Sequence, residues 1–286
     1  MEQQAGEGVP VGGDARVAAG GRADVRPVDD LGSAVPLGGG PVRRVVSLVP
    51  SLTEAVAATA PHLLVGATDW CTHPAGLTAT RIGGTKNPDV RRITALAPDL
   101  VLANDEENRR PDLDALRAAG PAVWVTDIRT LDQAFTSLHR LLTVGCGLPR
   151  PAWLDAAEAA WAETGALALR PRRSAVVPIW RRPWMVLGRD TFAGDVLRRL
   201  GVDLLHADHP DRYPAVPLPE LLACDPDLVV LPDEPYRFTA EDGPEAFPGI
   251  PTALVSGRHL TWYGPSLAEA PAVLAAQLRA DAAPQA

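Results

Sequence analysis

The feature that most constrains this chain is a pattern that occurs twice. Ile93-Thr94-Ala95-Leu96-Ala97-Pro98-Asp99-Leu100-Val101-Leu102-Ala103 returns as Leu218-Pro219-Glu220-Leu221-Leu222-Ala223-Cys224-Asp225-Pro226-Asp227-Leu228-Val229-Val230-Leu231-Pro232. Each copy reads as a short amphipathic helix, a Pro-Asp turn and an apolar run too short for a helix. Such a run is expected to be a strand buried on both faces, the signature of a parallel sheet. A duplicated α/β unit implies two similar lobes, and the space between lobes is where small molecules bind.

The rest of the sequence extends this pattern. Residues 44–49 read as a first strand stopped by Pro50. Ser51, with Glu54 three positions later, predicts a capping box at the start of a helix. A second strand is expected at 64–68 and leads into the loop Asp69-Trp70-Cys71-Thr72-His73-Pro74. A helix at 112–119 closed by Gly120 and a strand at 122–125 follow. Residues 131–142 are helical in pattern, and Gly145, Gly147, Pro149 and Pro151 break the chain. Residues 152–169 then predict one connector helix of about 18 residues, roughly 27 Å long, enough to hold two small lobes side by side. A second lobe begins at 174–180. In it Thr191 caps a helix ended by Gly201, a strand spans 252–255, and a last helix covers about 267–280. The expected fold class is α/β: two Rossmann-like lobes with parallel sheets, joined by a long connector helix, with a ligand cleft between them. The boundaries read as a disordered tail at 1–40, an N-terminal lobe at 41–130, connector helices at 131–170 and a C-terminal lobe at 171–286. The tail rests on composition: residues 1–40 hold ten of the 25 glycines and show no hydrophobic period.

Composition narrows the partners. A net charge of −8 argues against nucleic acid or an anionic membrane surface. No stretch approaches the 18 apolar residues of a membrane span. The N-terminus has neither the basic start nor the apolar core of a signal peptide. The chain as written is therefore expected in the cytoplasm, and outside it if translation starts upstream. The three cysteines are widely spaced, without a C-x-x-C pair, which argues against a disulfide framework or structural zinc. Gly-x-Ser-x-Gly, P-loop and Gly-x-Gly-x-x-Gly motifs are absent from the folded part, so a binding protein is expected rather than an enzyme.

At this point the residues resemble a family. The strand-Pro-Ser-x-Thr-Glu opening (Val49 to Glu54), the Val65-Gly66 strand with its aromatic loop, and Arg92-Ile93-x-Ala95-Leu96-x-Pro98-Asp99-Leu100-Val101 are similar to the helical-backbone (class III) substrate-binding proteins of ABC importers. Among these the cobalamin-binding proteins look closest. The resemblance covers about residues 42–280. It implies a monomer that clamps a metal chelate, most simply a cobalamin-like corrinoid, with no intrinsic cofactor. A haem or ferric-siderophore receptor is the alternative ligand class, and a cytosolic metal-dependent enzyme on the same scaffold is the alternative from another class. The family's aromatic positions match Trp70, Tyr213 and Trp262, whose rings could stack on a macrocycle or could be ordinary core and rim residues. Two further family tryptophans fall at Lys86 and Asn104, making this cleft more polar. The family docks on its permease through one glutamate per lobe. Those positions align here with Arg91 and Pro219, beside Glu220, so the docking glutamates are not retained.

Other residues carry candidate chemistry. Asp69, Cys71 and His73 alternate along the loop and, if it is extended, share one side as metal ligands. His73 could instead be an axial ligand to a chelated metal, or simply pack the loop. Arg181 and Arg182 could hold ligand carboxylates or phosphate, or form a solvated turn. Lys86, Asn104 and Tyr236 lie at expected strand ends, where α/β sheets place ligand contacts.

Overall fold

The computed structural model describes residues 27–280. In the N-terminal lobe the strands are β1 (Val45–Ser47), β2 (Leu64–Ala67), β3 (Thr80–Arg81), β4 (Gly83–Gly84), β5 (Asn87–Pro88), β6 (Leu100–Asn104) and β7 (Ala122–Thr126). The helices there are α1 (Pro50–Thr59), α2 (Val90–Ala95) and α3 (Arg110–Ala119). Five strands form a parallel sheet in the order β3-β2-β1-β6-β7, and β4 and β5 make a small antiparallel hairpin. Every residue of β6 and β7 is buried, as the apolar runs require.

The chain then passes through α4 (Leu131–Arg140), a π turn and α5 (Ala152–Ala162). The C-terminal lobe holds β8 (Arg173–Val176), the hairpin β9 (Pro178–Arg181) and β10 (Trp184–Val186), α6 (Phe192–Arg199), β11 (Val202–Leu204), α7 (Leu218–Ala223), β12 (Leu228–Pro232), β13 (Thr252–Val255), α8 (Gly257–Thr261) and α9 (Ala270–Arg279). Its sheet runs β11-β8-β12-β13, again parallel. The α/β class and the paired parallel sheets expected from the sequence are present.

The repeat is structural as well as textual. The residue two before the turn aspartate is left-handed in both copies, with φ of 46° at Ala97 and at Asp225. The aspartates then do the same work. Asp99 Oδ2 accepts from the backbone N–H of Arg43 (2.8 Å) and Arg44 (2.9 Å). Asp227 Oδ2 accepts from the N–H of Ser174 (2.8 Å). Each carboxylate thus satisfies donors at the start of the neighbouring strand, which would otherwise be left unpaired.

Three local expectations are corrected. The first 26 residues of the expected tail lie outside the described residues, and 27–40, though mostly exposed, are anchored to the lobe at a few positions. Val35 is fully buried and Asp29 nearly so. The backbone of Asp30 bonds to Val125, and its carboxylate takes Ser137 and Arg140. A glycine-rich composition hid two buried anchors. The connector is also not one long helix: α5 ends at Ala162, and a short 3-10 turn, Thr164–Ala166, follows. The hydroxyl of Thr164 bonds back to the Trp161 carbonyl, and the Trp161 indole donates to Leu267 O at 2.9 Å. The connector is therefore stitched to the end of the C-terminal lobe instead of spanning free. Finally, Ser51 and Glu54 do not form a capping box. Pro50 opens α1, Val49 is the cap residue without a side-chain bond, and both polar side chains turn toward the other lobe.

The lobes share one core. A single cluster of buried side chains runs from Val45 and Leu102 through Leu138 and Leu154 to Val196, Leu274 and Leu278. A smaller cluster, with Val229, Leu231, Phe238 and Phe247, sits in the outer part of the C-terminal lobe. A continuous core across the junction restricts relative motion of the lobes.

Candidate ligand-binding site

Both sheets point their C-terminal strand ends toward the same junction. The loop after β2 is a turn, not an extended segment. Cys71 N–H bonds to Thr68 O, and the guanidinium of Arg81 donates to the carbonyls of Thr68 (2.7 Å) and Cys71 (2.8 Å). The Cys71 thiol is fully buried between the hydroxyls of Thr53 (3.0 Å) and Thr68 (3.1 Å). Burial pushes its pKa up. That corrects the proposed Asp69, Cys71 and His73 metal set. The turn removes the alternation on which it depended, and among the described residues no three such side chains converge. The same anchoring throws Trp70 outward, where it is 68% exposed. His73 is half-buried and meets the ring of Trp262 edge-on, centroids 5.4 Å apart. Trp262 is buried, and its indole donates to Glu234 Oε2 at 3.0 Å. His73 and Trp262 belong to different lobes, so this contact crosses the junction.

A second crossing lies at the end of β6. Glu106 forms an ion pair with Arg212 (3.0 Å) and accepts from the Tyr213 hydroxyl. The Arg212 guanidinium also lies over the Tyr213 ring, 5.7 Å from its centroid. Burial first, then the Glu106 charge, raises the Tyr213 pKa far above the ordinary tyrosine range. Beside it, burial raises the Glu107 pKa, while the charge of Lys86 works in the opposite direction. The ammonium of the exposed Lys86, on the β4–β5 turn, donates to the Glu106 carbonyl. Asn104 sits here as expected from the sequence, but it has nothing left to offer a ligand. Its amide donates to Thr126 O and Oγ1, and its Oδ1 accepts from the N–H of Glu106 and Glu107. It shapes the loop that presents the two glutamates.

The third crossing pairs Glu54 of α1 with Arg258 of α8, side chains 8% and 20% exposed. Next to it the hydroxyl of the buried Tyr263 bonds to Ser51 and Thr126. Ser51 and Glu54 thus tie the lobes together.

On the C-terminal side the β9–β10 hairpin rises from the cleft end of β8. Arg181 is committed within the lobe: it pairs with Asp242 and Glu245 and lies over the Trp184 ring at 5.4 Å. Tyr236 donates to Asp242 at 2.6 Å and packs against the same cluster. Arg182, at the exposed hairpin tip, forms no ion pair among the described residues.

No family model matches the chain. A curated vitamin B12-binding protein from Yersinia pestis is 28% identical over 195 residues, 66% of this chain and 69% of the relative. Its counterpart in Pectobacterium carotovorum is 23% identical over 207 residues, 69% and 74% of the two chains. Among solved structures, the periplasmic haem-binding protein of Pseudomonas aeruginosa superposes with a TM-score of 0.71 at 22% identity, covering 84% of this chain and 94% of that one. The periplasmic vitamin B12-binding protein BtuF of Vibrio cholerae gives 0.65 at 17% identity, covering 84% and 97%. The chain shares the two-lobed α/β fold of these periplasmic binding proteins.

Of the sequence-predicted residues, His73, Tyr213 and Trp262 make contacts across the junction, Lys86 reaches the Glu106 carbonyl, and Trp70 stands exposed on the loop that carries His73. Asn104 and Arg181 are engaged elsewhere. Sequence reasoning missed Trp180, 42% exposed and edge-on to Tyr236 at 5.6 Å, along with Arg212 and Glu234. Trp180 was within reach, because it alternates with Ile179 and Arg181 along a strand. Arg212 and Glu234 carry no local pattern. At the two positions aligned with docking glutamates, Arg91 and Pro219 are both exposed, as is Glu220.

Proposed function

We propose that this protein holds a metal chelate, a cobalamin-like corrinoid, between its two lobes and delivers it without changing it chemically. The observation that carries the reading is Trp70: its indole is 68% exposed on the same loop as His73, whose ring meets Trp262 of the other lobe. A flat macrocycle rim would cover that indole by dispersion and apolar contact. Trp180 and Tyr213 would extend the wall, with Lys86, Arg182 and Tyr236 as polar neighbours. The relatives' ligands, vitamin B12 and haem, support the same class. We place the protein outside the cytoplasm, in line with its periplasmic structural neighbours, as the monomeric receptor of an ABC-type permease. Glu220 would then be the acidic docking group of the second lobe, while Arg91 reverses the charge of the first.

A haem reading is supported by the haem-binding structural neighbour. His73 Nδ1 contacts Thr72 Oγ1 at 3.2 Å, which leaves Nε2 as the nitrogen able to ligate a chelated metal, iron and cobalt alike. Calorimetric and visible-absorbance titration with hydroxocobalamin, haemin and a ferric siderophore tests both readings. Saturable micromolar or tighter binding of a corrinoid is expected. Binding of haemin alone would favour the second reading, and binding of none would refute both.

A further inference from the structure

The charge balance of the junction bears on which chelate it accepts. Three arginines at or beside the junction are already paired with protein carboxylates. Arg181 is held by Asp242 and Glu245, Arg212 by Glu106 and Arg258 by Glu54. Two of these pairs tie the lobes together, so drawing either guanidinium onto a ligand would strand a glutamate at the junction. For Glu54, whose side chain is 8% exposed, that means a buried and uncompensated charge. The carboxylates are less committed. Among the described residues no lysine or arginine forms an ion pair with Glu107, at the end of β6, or with Glu234, which holds the Trp262 indole. Lys86 and Arg182 are exposed and screened by water.

Building on the chelate-binding reading, we infer that Glu107 and Glu234 set the charge class of the ligand: a neutral or cationic chelate rich in amide groups is accepted, and a polyanionic one is rejected. A corrinoid meets both conditions, because its rim carries uncharged amides and its cobalt(III) form with water ligands is cationic. Haem, with two propionates, would bring like charge to two carboxylates, and the uncommitted arginines it could reach, Arg182 and Arg237, are exposed and screened by water. Like-charge juxtaposition of this kind discriminates between partners more than it alters the affinity for the right one. Glu234 has a second task, since it fixes the indole that faces His73.

The test compares two probes on the full chain, diaquocobinamide (a corrinoid without the nucleotide phosphate) and haemin. Wild type, Glu107→Gln and Glu234→Gln are titrated at low and moderate salt, with thermal melts to show that each variant is folded. Cobinamide is expected to bind at least about tenfold more tightly than haemin, with the gap narrowing by about threefold or more in each variant and at higher salt. Glu107→Asp, which keeps the charge, should retain the wild-type ratio. Haemin bound as tightly as cobinamide, or a ratio unchanged in both folded glutamine variants, would overturn the charge inference while leaving chelate binding intact. Failure of every probe to bind would overturn the chelate reading and this inference with it.

Discussion

Replacing Trp70 with alanine separates a ligand wall from a structural tryptophan. The side chain is 68% exposed without ligand, so the fold gains little from it. Of up to about 250 Å² of tryptophan surface, that exposure leaves roughly 170 Å² free for a ligand. A macrocycle stacked on one face would cover about half of this, ~85 Å², which at ~25 cal/mol per Å² is about 2 kcal/mol, or roughly 30-fold in Kd. Stability should fall by less than about 1 kcal/mol, as for an ordinary surface substitution. Trp70→Phe should recover most of the affinity, because the stacking face is kept. Calorimetric titration with hydroxocobalamin gives the affinities and urea unfolding the stability. An affinity within twofold of wild type would refute the aromatic-wall assignment. So would an affinity loss matched by a large loss of stability, since the side chain would then be supporting the fold.

Three further outcomes are expected. Glu54→Ala and Arg258→Ala should each cost about 3 kcal/mol in urea unfolding, because each strands a mostly buried partner. The double variant should cost less than their sum, and additivity would show that the pair is not coupled. Asp195 is subject to burial, which raises its pKa, but the Leu131 N–H and the ion pairs with Arg198 and Arg199 outweigh this, and the net shift is downward. A depressed carboxyl stabilises the fold above its unfolded pKa of about 3.9, and that stability is lost as pH falls through the lower folded value. Asp195→Asn should therefore flatten the acid limb of stability against pH, and an unchanged limb would refute the assignment. Only Cys224 is exposed; burial pushes the Cys146 thiol up to about 12 and raises Cys71 as well. Alkylation of the native protein near pH 8 should therefore label one thiol per chain, and labelling of two or three would contradict the burial of Cys71 and Cys146.

The sequence by itself determined whatever rests on near neighbours. The repeated helix-turn-strand unit, the helix stops at Gly120 and Gly201 and the buried runs of β6 and β12 follow from periodicity and turn chemistry within about ten residues. The positions of Trp70, Tyr213 and Trp262 came with the family resemblance, because each sits beside a recognisable strand end or proline. What the sequence misjudged are side chains whose partners are distant along the chain. Glu54 reads as a capping residue because Ser51 lies three positions before it, yet its partner is Arg258, 204 positions away. Arg181 reads as a free cation until Glu245, 64 positions on, is folded against it. Asn104 reads as a ligand contact until Thr126 takes its amide. Residues 27–40 read as a tail because two buried anchors cannot shift a composition dominated by glycine. Local pattern fixes backbone conformation, where each choice is made among a few φ/ψ wells. Which polar groups remain available to a ligand is decided only once the chain has closed on itself, because each buried polar group takes whichever partner the fold brings within reach.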